Sequence, residues 1–199
     1  ERSTVIAESL AGKRIAITGA TGFVGTALVE RLLRSVPDCE LVLLVRDGQR
    51  TSAARRTDRE IFKNDAFDRL RARCTEQGVD FATVAGRVTT IAGDVTRDGL
   101  GLSDTDRAIF ASCDTVIHSA AAVSFDSPLD SAVEINLLGP SRIADLCNAI
   151  GITPHLVAVS TCYVAGNRRG SAPEQLVSEG PFDIGLSWRA EVAASRRLK

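Results

Sequence analysis

The feature that most constrains this chain is a turn with glycines at intervals of three residues, Gly19, Gly22 and Gly25. The turn follows an apolar run typical of a strand, Arg14–Thr18, and opens a helix predicted over Phe23–Ser35. A turn in this setting places backbone N–H groups and a helix N-terminus against a diphosphate. We expect Gly19 to turn the chain, Gly22 to admit the phosphates and Gly25 to let the helix lie close to the sheet. The other turn residues expected to contact a dinucleotide are Thr21, Phe23 and Val24.

Short apolar runs alternate with longer amphipathic ones along the rest of the chain. The run 41–45 is apolar without alternation, which is typical of a strand covered on both faces. A helical stretch over 129–150 is expected to be interrupted at Gly139-Pro140, because proline removes a helical hydrogen bond. This alternation predicts an α/β fold with a Rossmann-type, doubly wound parallel sheet. The predicted strands are Arg14–Thr18, 41–45, Val88–Ala92, Thr115–His118 and 155–160.

Length and charge narrow the range of functions. At 199 residues, we expect 1–199 to form a single nucleotide-binding domain. The net charge of −1 gives no positive excess for nucleic acid. No apolar run approaches the roughly 18 residues of a membrane span. Five scattered cysteines without a Cys-x-x-Cys spacing favour reduced, mostly buried thiols in a cytoplasmic protein over disulfides or a metal site.

The segment 47–86, between the second and third predicted strands, is longer than a simple connection. Phe62, Ala66, Leu70 and Cys74 recur at intervals of four residues in an otherwise charged sequence. This spacing predicts an inserted surface helix that packs through one apolar stripe. A helix that binds a partner through the same stripe is the alternative.

The residues after the second predicted strand indicate which dinucleotide the turn would bind. NAD enzymes usually have an acidic side chain here for the ribose 2′-hydroxyl, but the first residue after the apolar run is Arg46. A guanidinium favours the 2′-phosphate of NADPH through charge-assisted hydrogen bonds. Asp47 leaves NAD open if its side chain points inward, and Arg50 is either a second phosphate contact or a solvated loop residue. We expect NADPH.

Several motifs along the chain match those of a known superfamily. With the glycine turn, Gly93-Asp94-Val95, 118–122 and 160–166 occur in the order typical of extended short-chain dehydrogenase/reductases, which the chain resembles. The fuller motifs at 118–129, 136–139 and 159–166 resemble those of the NADPH-dependent fatty acyl-CoA reductases. The reductase domains of carboxylic acid reductases are similar. The resemblance covers about residues 12–166 and implies the N-terminal, coenzyme-binding portion of such an enzyme.

The resemblance implies a role for each matching residue. Asp94 would bind the adenine amino group, and Val95 would pack beside the adenine. Thr161 matches the hydroxyl that binds the substrate carbonyl. Asn136 matches the asparagine that ties its helix to the backbone of the fourth strand, although it could equally be a solvent-facing polar residue. The small residues that would lie against the coenzyme ribose are Ser119, Ala120 and Ala121.

The resemblance implies a reaction as well. NADPH would reduce the carbonyl of a fatty acyl-CoA thioester while hydroxyl donors stabilise the oxyanion. Loss of CoA would leave a fatty aldehyde, which some relatives reduce further to the alcohol. The thioester reductase domains of peptide synthetases suggest an acyl group on a carrier protein as the alternative substrate. An oligomer could also form, as in many relatives.

The proton-donating pair of this family, a tyrosine followed four residues later by a lysine, has no match in the sequence. The single tyrosine, Tyr163, is followed four residues later by Asn167, and Lys199 is preceded at that distance by Ser195. One explanation is an insertion that begins in 167–199 and moves the pair beyond the chain, which would then be a fragment, inactive alone and without its substrate lobe. The other is a catalytically silent NADP-binding regulatory protein.

A histidine, a cysteine and the basic C-terminal segment are further candidates for a functional role. His118 is expected to pack in the turn after its strand rather than act as an acid. Cys162 is expected to be a buried, unreactive thiol, because it alternates inward on the fifth strand. The basic residues in 189–199 form either a solvated helical face, with Trp188, Val192 and Leu198, or a contact for CoA phosphates or a carrier protein.

Overall fold

A computed structural model of the chain describes residues 2–124, 126–165, 169–180 and 183–197. Its strands form one parallel sheet in the order β3-β2-β1-β4-β5. The strands are β1 Arg14–Thr18, β2 Glu40–Val45, β3 Val88–Ala92, β4 Thr115–His118 and β5 His155–Ala158. The predicted doubly wound parallel sheet is therefore confirmed. The strand order reverses between β1 and β4, and sheets of this kind bind ligands at the carboxyl ends of the strands beside such a reversal.

Helices connect the strands throughout the described residues. Between β3 and α6, the short 3₁₀ turn Asp98–Gly101 holds Leu100 in the left-handed region, with a φ of 57°. The helices are α1 Arg2–Leu10, α2 Phe23–Ser35, α3 Ala53–Thr57, α4 Asp68–Glu76, α5 Phe81–Ala85, α6 Asp104–Ala111, α7 Leu129–Ala132, α8 Leu138–Ala149 and α9 Trp188–Arg196.

The core lies on both faces of the sheet, because successive side chains of a strand point to opposite sides. On one face, Ile15 and Ile17 of β1 pack in a buried cluster with α2 and the inserted helices. On the other face, Ala16 packs in a second buried cluster with Phe110 of α6 and Ile143 of α8. The central strands are covered on both sides, as the unbroken apolar run of β2 predicts.

The inserted segment is not the single helix that the four-residue spacing predicts. A π-helical turn, Asp58–Phe62, follows α3, and the side chain of Asn64 accepts a hydrogen bond from the backbone of Ala66 at 2.9 Å. Asn64 has an extended backbone and caps the 3₁₀ turn Asp65–Phe67 before α4, since Asn side chains readily bond to nearby backbone. Ala66 is consequently exposed, and Phe67 is fully buried in its place.

The apolar side chains of the insertion pack into the domain itself. The rings of Phe62, Phe67 and Phe81 contact one another edge to face, with centroids 5.9 to 6.5 Å apart. Leu70 and Cys74 are buried, as predicted. The insertion therefore extends the core on the α2 face, and these side chains are not available to a partner protein.

The helical stretch 129–150 is interrupted at a different place from the one predicted. Gly139 and Pro140 lie inside the first turn of α8, and the irregular segment is the π-helical turn Val133–Leu137 before it. Pro140 has no N–H to donate to this preceding turn, and the hydrogen bonds there take the wider π spacing. Pro140 thus alters the hydrogen bonding of the turn before α8, and the helix continues through residue 140 itself.

β5 differs from the other strands in its exposure. It ends at Ala158, two residues before the predicted end, and all of its residues are exposed. The predicted alternation therefore does not reach Cys162, which is exposed, and the prediction of a buried thiol there is wrong. The buried cysteines are Cys39, Cys74, Cys113 and Cys147, and burial raises the pKa of the Cys113 thiol to about 12.

Candidate functional site

A cavity of about 340 Å³ opens at the carboxyl ends of the central strands. Its size is within the range of small-molecule sites. All the residues expected to contact the coenzyme line it, so the structure brings them together, and their contact with a coenzyme stays a prediction. They are Gly19, Thr21, Gly22, Phe23, Val24, Gly25, Arg46, Asp94, Val95, Ser119, Ala120 and Ala121.

The glycine turn on one wall of the cavity leaves no room for side chains at two positions. Gly19 has a φ of +73°, and a Cβ there would lie 2.5 Å from the backbone nitrogen of Ala120. A Cβ on Gly25 would lie 2.1 Å from the carbonyl oxygen of Gly19. The turn is therefore in direct backbone contact with the start of α2, as expected for Gly25, and with the loop after β4, which the sequence did not predict.

The N-terminus of α2 faces the cavity from this turn. Gly22 is the N-cap residue, and within the described part of the chain no side chain caps this end. A Cβ on Gly22 would meet only the Gly19 carbonyl oxygen, at 3.3 Å. The first N–H groups of a helix have no partner inside the helix and carry partial positive charge. This end of α2 can accordingly bind an anion.

Arg46 lies at the end of β2 on the opposite wall, with its side chain exposed. The side chain of the neighbouring Asp47 bonds to α3 instead: its Oδ1 accepts a hydrogen bond from the backbone of Ala53 at 2.7 Å. The Asp47 carboxylate thus stabilises the first turn of α3, and it is not among the residues that line the cavity.

A second guanidinium, which the sequence reasoning missed, lies beside the first. Arg56 of α3 lines the cavity, and its Nη1 donates to the carbonyl oxygen of Arg46 at 2.8 Å. Its other nitrogens bond to the Glu60 carboxylate at 2.9 and 3.1 Å, which raises the pKa of Arg56 and lowers that of Glu60. Arg50, the predicted candidate for a second phosphate contact, is exposed and outside the lining. The four-residue spacing of Arg56 and Glu60 is the sequence signal that could have found this pair.

The loop after β3 orients the Asp94 carboxylate. Asp94 Oδ1 accepts hydrogen bonds from the backbone nitrogen and the hydroxyl of Thr96, at 2.9 and 2.8 Å. The Asp94 backbone nitrogen donates to the carbonyl of Leu100, which is fully buried, at 2.8 Å. Thr96 also lines the cavity and was not predicted to do so. One carboxylate oxygen is thereby fixed, and the other can accept from a ligand.

A buried hydrogen-bond network lies beneath the cavity between β1 and β4. The Nδ1 of His118 is 2.7 Å from the hydroxyl of Thr18, which also accepts from the backbone of Ala120 at 3.3 Å. This hydrogen bond joins the ends of β1 and β4 beneath the cavity. Burial lowers the pKa of His118. The prediction that His118 packs in the turn is confirmed.

The residues expected on the substrate side lie apart from the cavity lining. Thr161 is exposed, and its Oγ1 accepts a hydrogen bond from the backbone of Tyr163 at 3.0 Å. Asn136 forms the predicted tie, although with the loop after β4: its side chain bonds to both backbone groups of Ala122. Gly166 and Asn167 of the same region lie outside the described residues, as do Phe125, Leu198 and Lys199.

The basic tail forms the helix α9, which buries one side and keeps the predicted solvated face on the other. Val192 of α9 is buried, and Arg189 lies over the ring of Trp188 at 4.3 Å. Arg196 Nε donates to the carboxylate of Glu134 at 2.6 Å. Arg189 and Arg196 both remain exposed, and Arg196 forms an ion pair with Glu134 across to the segment before α8.

Two negative findings hold for the part of the chain that the structure describes. It contains no group of His, Cys, Asp or Glu side chains that could hold a metal ion. None of its helices combines the length and the apolarity required to cross a membrane.

The sequence is similar to that of fatty acyl-CoA reductases. A family model described as Male sterility protein, an NAD-binding domain, matches residues 17–196. The alcohol-forming fatty acyl-CoA reductase of Simmondsia chinensis is 34% identical over 188 residues, 92% of this chain and 36% of that protein. Fatty acyl-CoA reductase 1 of Arabidopsis thaliana is 33% identical over 179 residues, 88% of this chain and 35% of that protein. The chain spans about a third of the length of these relatives.

Solved structures share the fold. The terminal R domain from the myxalamid PKS-NRPS biosynthetic pathway is 28% identical, with a TM-score of 0.59 over 81% of this chain and 38% of that chain. UDP-glucuronic acid 4-epimerase from Bacillus cereus, solved in complex with NAD, is 21% identical, with a TM-score of 0.51 over 82% of this chain and 44% of that chain. The predicted fold of an extended short-chain dehydrogenase/reductase is therefore confirmed.

Proposed function

The chain belongs to the family of NAD-binding domains described as Male sterility protein, and on this premise we propose that it binds NADPH within a reductase of fatty acyl-CoA thioesters. One observation carries the proposal: a helix N-terminus behind a glycine turn and two arginine side chains line the same cavity. The helix N-terminus suits the diphosphate that NADH and NADPH share, and the arginines suit the 2′-phosphate that only NADPH carries, which supports NADPH as the coenzyme.

Different residues of the cavity lining would bind different parts of NADPH. The N–H groups at the start of α2 would bind the diphosphate, and Arg46 and Arg56 would bind the 2′-phosphate. The Asp94 oxygen that Thr96 leaves free would accept from the adenine amino group, while Val95 would pack beside the ring. The small side chains of residues 119–121 would leave room for the ribose.

The bound coenzyme would supply the hydride, and the chain would position the acceptor. Thr161 is the hydroxyl that would donate to the substrate carbonyl as negative charge develops on its oxygen. Because Thr161 lies outside the cavity lining in the structure, this role requires the segment 159–165 to approach the coenzyme when substrate is bound. The relatives named as fatty acyl-CoA reductases support the acyl-CoA as substrate.

We predict that Arg46→Ala and Arg56→Ala each weaken NADPH binding by roughly tenfold or more and change NADH binding less than about threefold. The reason is that each variant removes a charge-assisted hydrogen bond to a group that only NADPH carries. Isothermal titration with both coenzymes measures the effect. Arg50→Ala is the matched control and should bind both coenzymes as the unmodified protein does. Equal losses for NADPH and NADH would show that the two arginines do not hold the 2′-phosphate.

A carrier-bound acyl group is the second candidate substrate. It is favoured by the 28% identity to a terminal R domain of a PKS-NRPS pathway. The test uses the protein expressed from its complete reading frame and measures NADPH oxidation with acyl-CoA and, separately, with an acylated carrier protein. The thioester that supports faster oxidation identifies which of the two is the substrate. NADPH binding without oxidation of either thioester would support the catalytically silent regulatory protein instead.

We also propose that residues 1–199 act as one domain, with 47–86 as its insertion and 167–199 as the start of a second one. The chain alone would bind coenzyme without turnover. A cytoplasmic location is proposed on the free state of the described cysteines.

A further inference from the structure

Arg142 of α8 is a mostly buried arginine that contacts two other segments, the connection after β3 and the π-helical turn before α8. Its side chain is 11% exposed. Nη1 donates to the carbonyl oxygens of Val95 and Glu134, at 3.3 and 2.9 Å. Nη2 bonds to the Glu134 carboxylate, and Nε lies 3.5 Å from Asp98. A planar guanidinium can hold several acceptors in fixed directions at once, which a lysine cannot do.

The groups that Arg142 holds belong to two neighbouring parts of the cavity wall. Val95, from the loop after β3, lines the cavity, and so does Ile135, the residue next to Glu134 in the π-helical turn. These segments are about forty residues apart in sequence and share no strand. Their relative position therefore depends on side-chain contacts, and Arg142 bonds directly to the backbone of both.

Glu134 is held from a second side by the tail helix. Arg196 of α9 bonds to one carboxylate oxygen and Arg142 to the other. These two hydrogen bonds lower the pKa of Glu134 to about 2. The carboxylate therefore stays charged across the neutral range, and the connection from α9 to the cavity wall persists there.

We propose that Arg142 is a positioning residue for the adenine end of the coenzyme cavity, which it holds by joining the Val95 carbonyl to Glu134. This inference rests on the proposed function. Without the guanidinium, the Val95 and Glu134 carbonyls lose their donor, and the loop that carries Asp94 and Val95 is released from α8. Arg196 supports the same arrangement from α9.

The test is to measure the affinity of Arg142→Met for NADPH and for 2′,5′-ADP, which contains only the adenine half of the coenzyme. Both should bind roughly tenfold more weakly than to the unmodified protein, as expected for loss of hydrogen bonds from a charged group. Arg142→Lys should restore only part of the affinity, because a lysine lacks the planar fork.

Arg87→Met is the matched control. Arg87 donates to the carbonyl oxygens of Leu33, Val36 and Cys39, away from the cavity, so it joins segments in a similar way. This variant should lower the Tm while both dissociation constants stay within about twofold. That contrast separates positioning of the coenzyme site from a general loss of stability.

Glu134→Gln provides a second variant that removes the charge and preserves the side-chain size. This variant should bind NADPH and 2′,5′-ADP about threefold more weakly than the unmodified protein. Arg196→Ala should weaken the binding of both by a similar or smaller factor. If folded Arg142→Met and Glu134→Gln lower the Tm yet bind both ligands normally, the inference is wrong and the proposed function stands. If the unmodified protein binds neither NADPH nor 2′,5′-ADP, the inference and the proposed function are both wrong.

Discussion

At the scale of single residues, Gly25 is the position where the fold and the candidate site are most tightly coupled. Its hydrogen atom faces the carbonyl oxygen of Gly19, and no other side chain fits there. We predict that Gly25→Ala weakens NADPH binding at least tenfold, because the added methyl group must displace the phosphate-binding turn. Titration with NADPH measures this, and circular dichroism reports whether the fold is retained.

Gly78→Ala is the control for this substitution. Gly78 also requires a positive φ, of +65°, but a Cβ there would have nothing within 4 Å. Its replacement should cost roughly 1 kcal/mol of stability through backbone strain and leave the coenzyme affinity unchanged. If both variants bind NADPH equally well, the close contact between Gly19 and Gly25 is not needed for binding.

The burial of His118 predicts how the stability of the protein changes with pH. Burial lowers its pKa in the folded state, so the unfolded chain takes up the proton first as the pH falls below the ordinary histidine range. Stability should therefore decrease from pH 7.5 to 5.5, by at most about 1.4 kcal/mol per pH unit from this one group. Urea unfolding at both values measures the change.

The variant that isolates this effect is His118→Asn, whose side-chain amide can form a hydrogen bond with the Thr18 hydroxyl and does not titrate. It should lose less stability than the unmodified protein over the same interval. His155→Asn, at an exposed position, should keep the full pH dependence. An identical pH dependence in all three proteins would contradict a neutral, buried His118.

At the scale of elements, the sequence predicted what local pattern determines and missed what depends on contacts between segments. β1, α2, β3 and β4 have the predicted bounds, because an apolar run or a helical period ends at a clear turn in each case. The four-residue period of the insertion fails at Ala66, because the Asn64 side chain caps a short 3₁₀ turn there. The role of Arg56 became visible only when α3 was placed beside the end of β2.

The insertion yields a prediction of its own. Phe67 is fully buried between two other aromatic rings, so Phe67→Ala should destabilise the protein by about 3–5 kcal/mol. Urea unfolding measures the loss. Ala66→Ser, at the exposed neighbouring position, should change stability by less than about 0.5 kcal/mol. A small effect of Phe67→Ala would mean that the insertion is not part of the core.

At the scale of the whole molecule, stability is distributed unevenly across the sheet. β1 is central and buried, whereas β5 lies at an edge with all of its residues exposed. Strands with little buried apolar surface open at lower free energy. We predict that amide hydrogens of β5 exchange at least about a hundredfold faster than those of β1, as measured by hydrogen–deuterium exchange with mass spectrometry.

β2 is the internal control for this experiment, since it is buried like β1 and should be protected to a similar degree. Protection of β5 equal to that of β2, and dependent on protein concentration, would show that copies of the chain cover this edge in solution. Equal protection at every concentration would contradict the uneven distribution.

The hydrogen bond from Ala53 to Asp47 has a consequence for the redesign of this protein. Asp47 follows Arg46 in the sequence and accepts a hydrogen bond from Ala53 in the first turn of α3, and α3 is the helix that carries Arg56. A replacement that freed Asp47 to bind an unphosphorylated ribose would therefore also release the helix that we propose to bind the phosphorylated one. An engineer who wishes to exchange one electron donor for the other would have to change Asp47 and α3 together, because removing an arginine alone weakens NADPH binding without supplying an acceptor for the ribose hydroxyls of NADH.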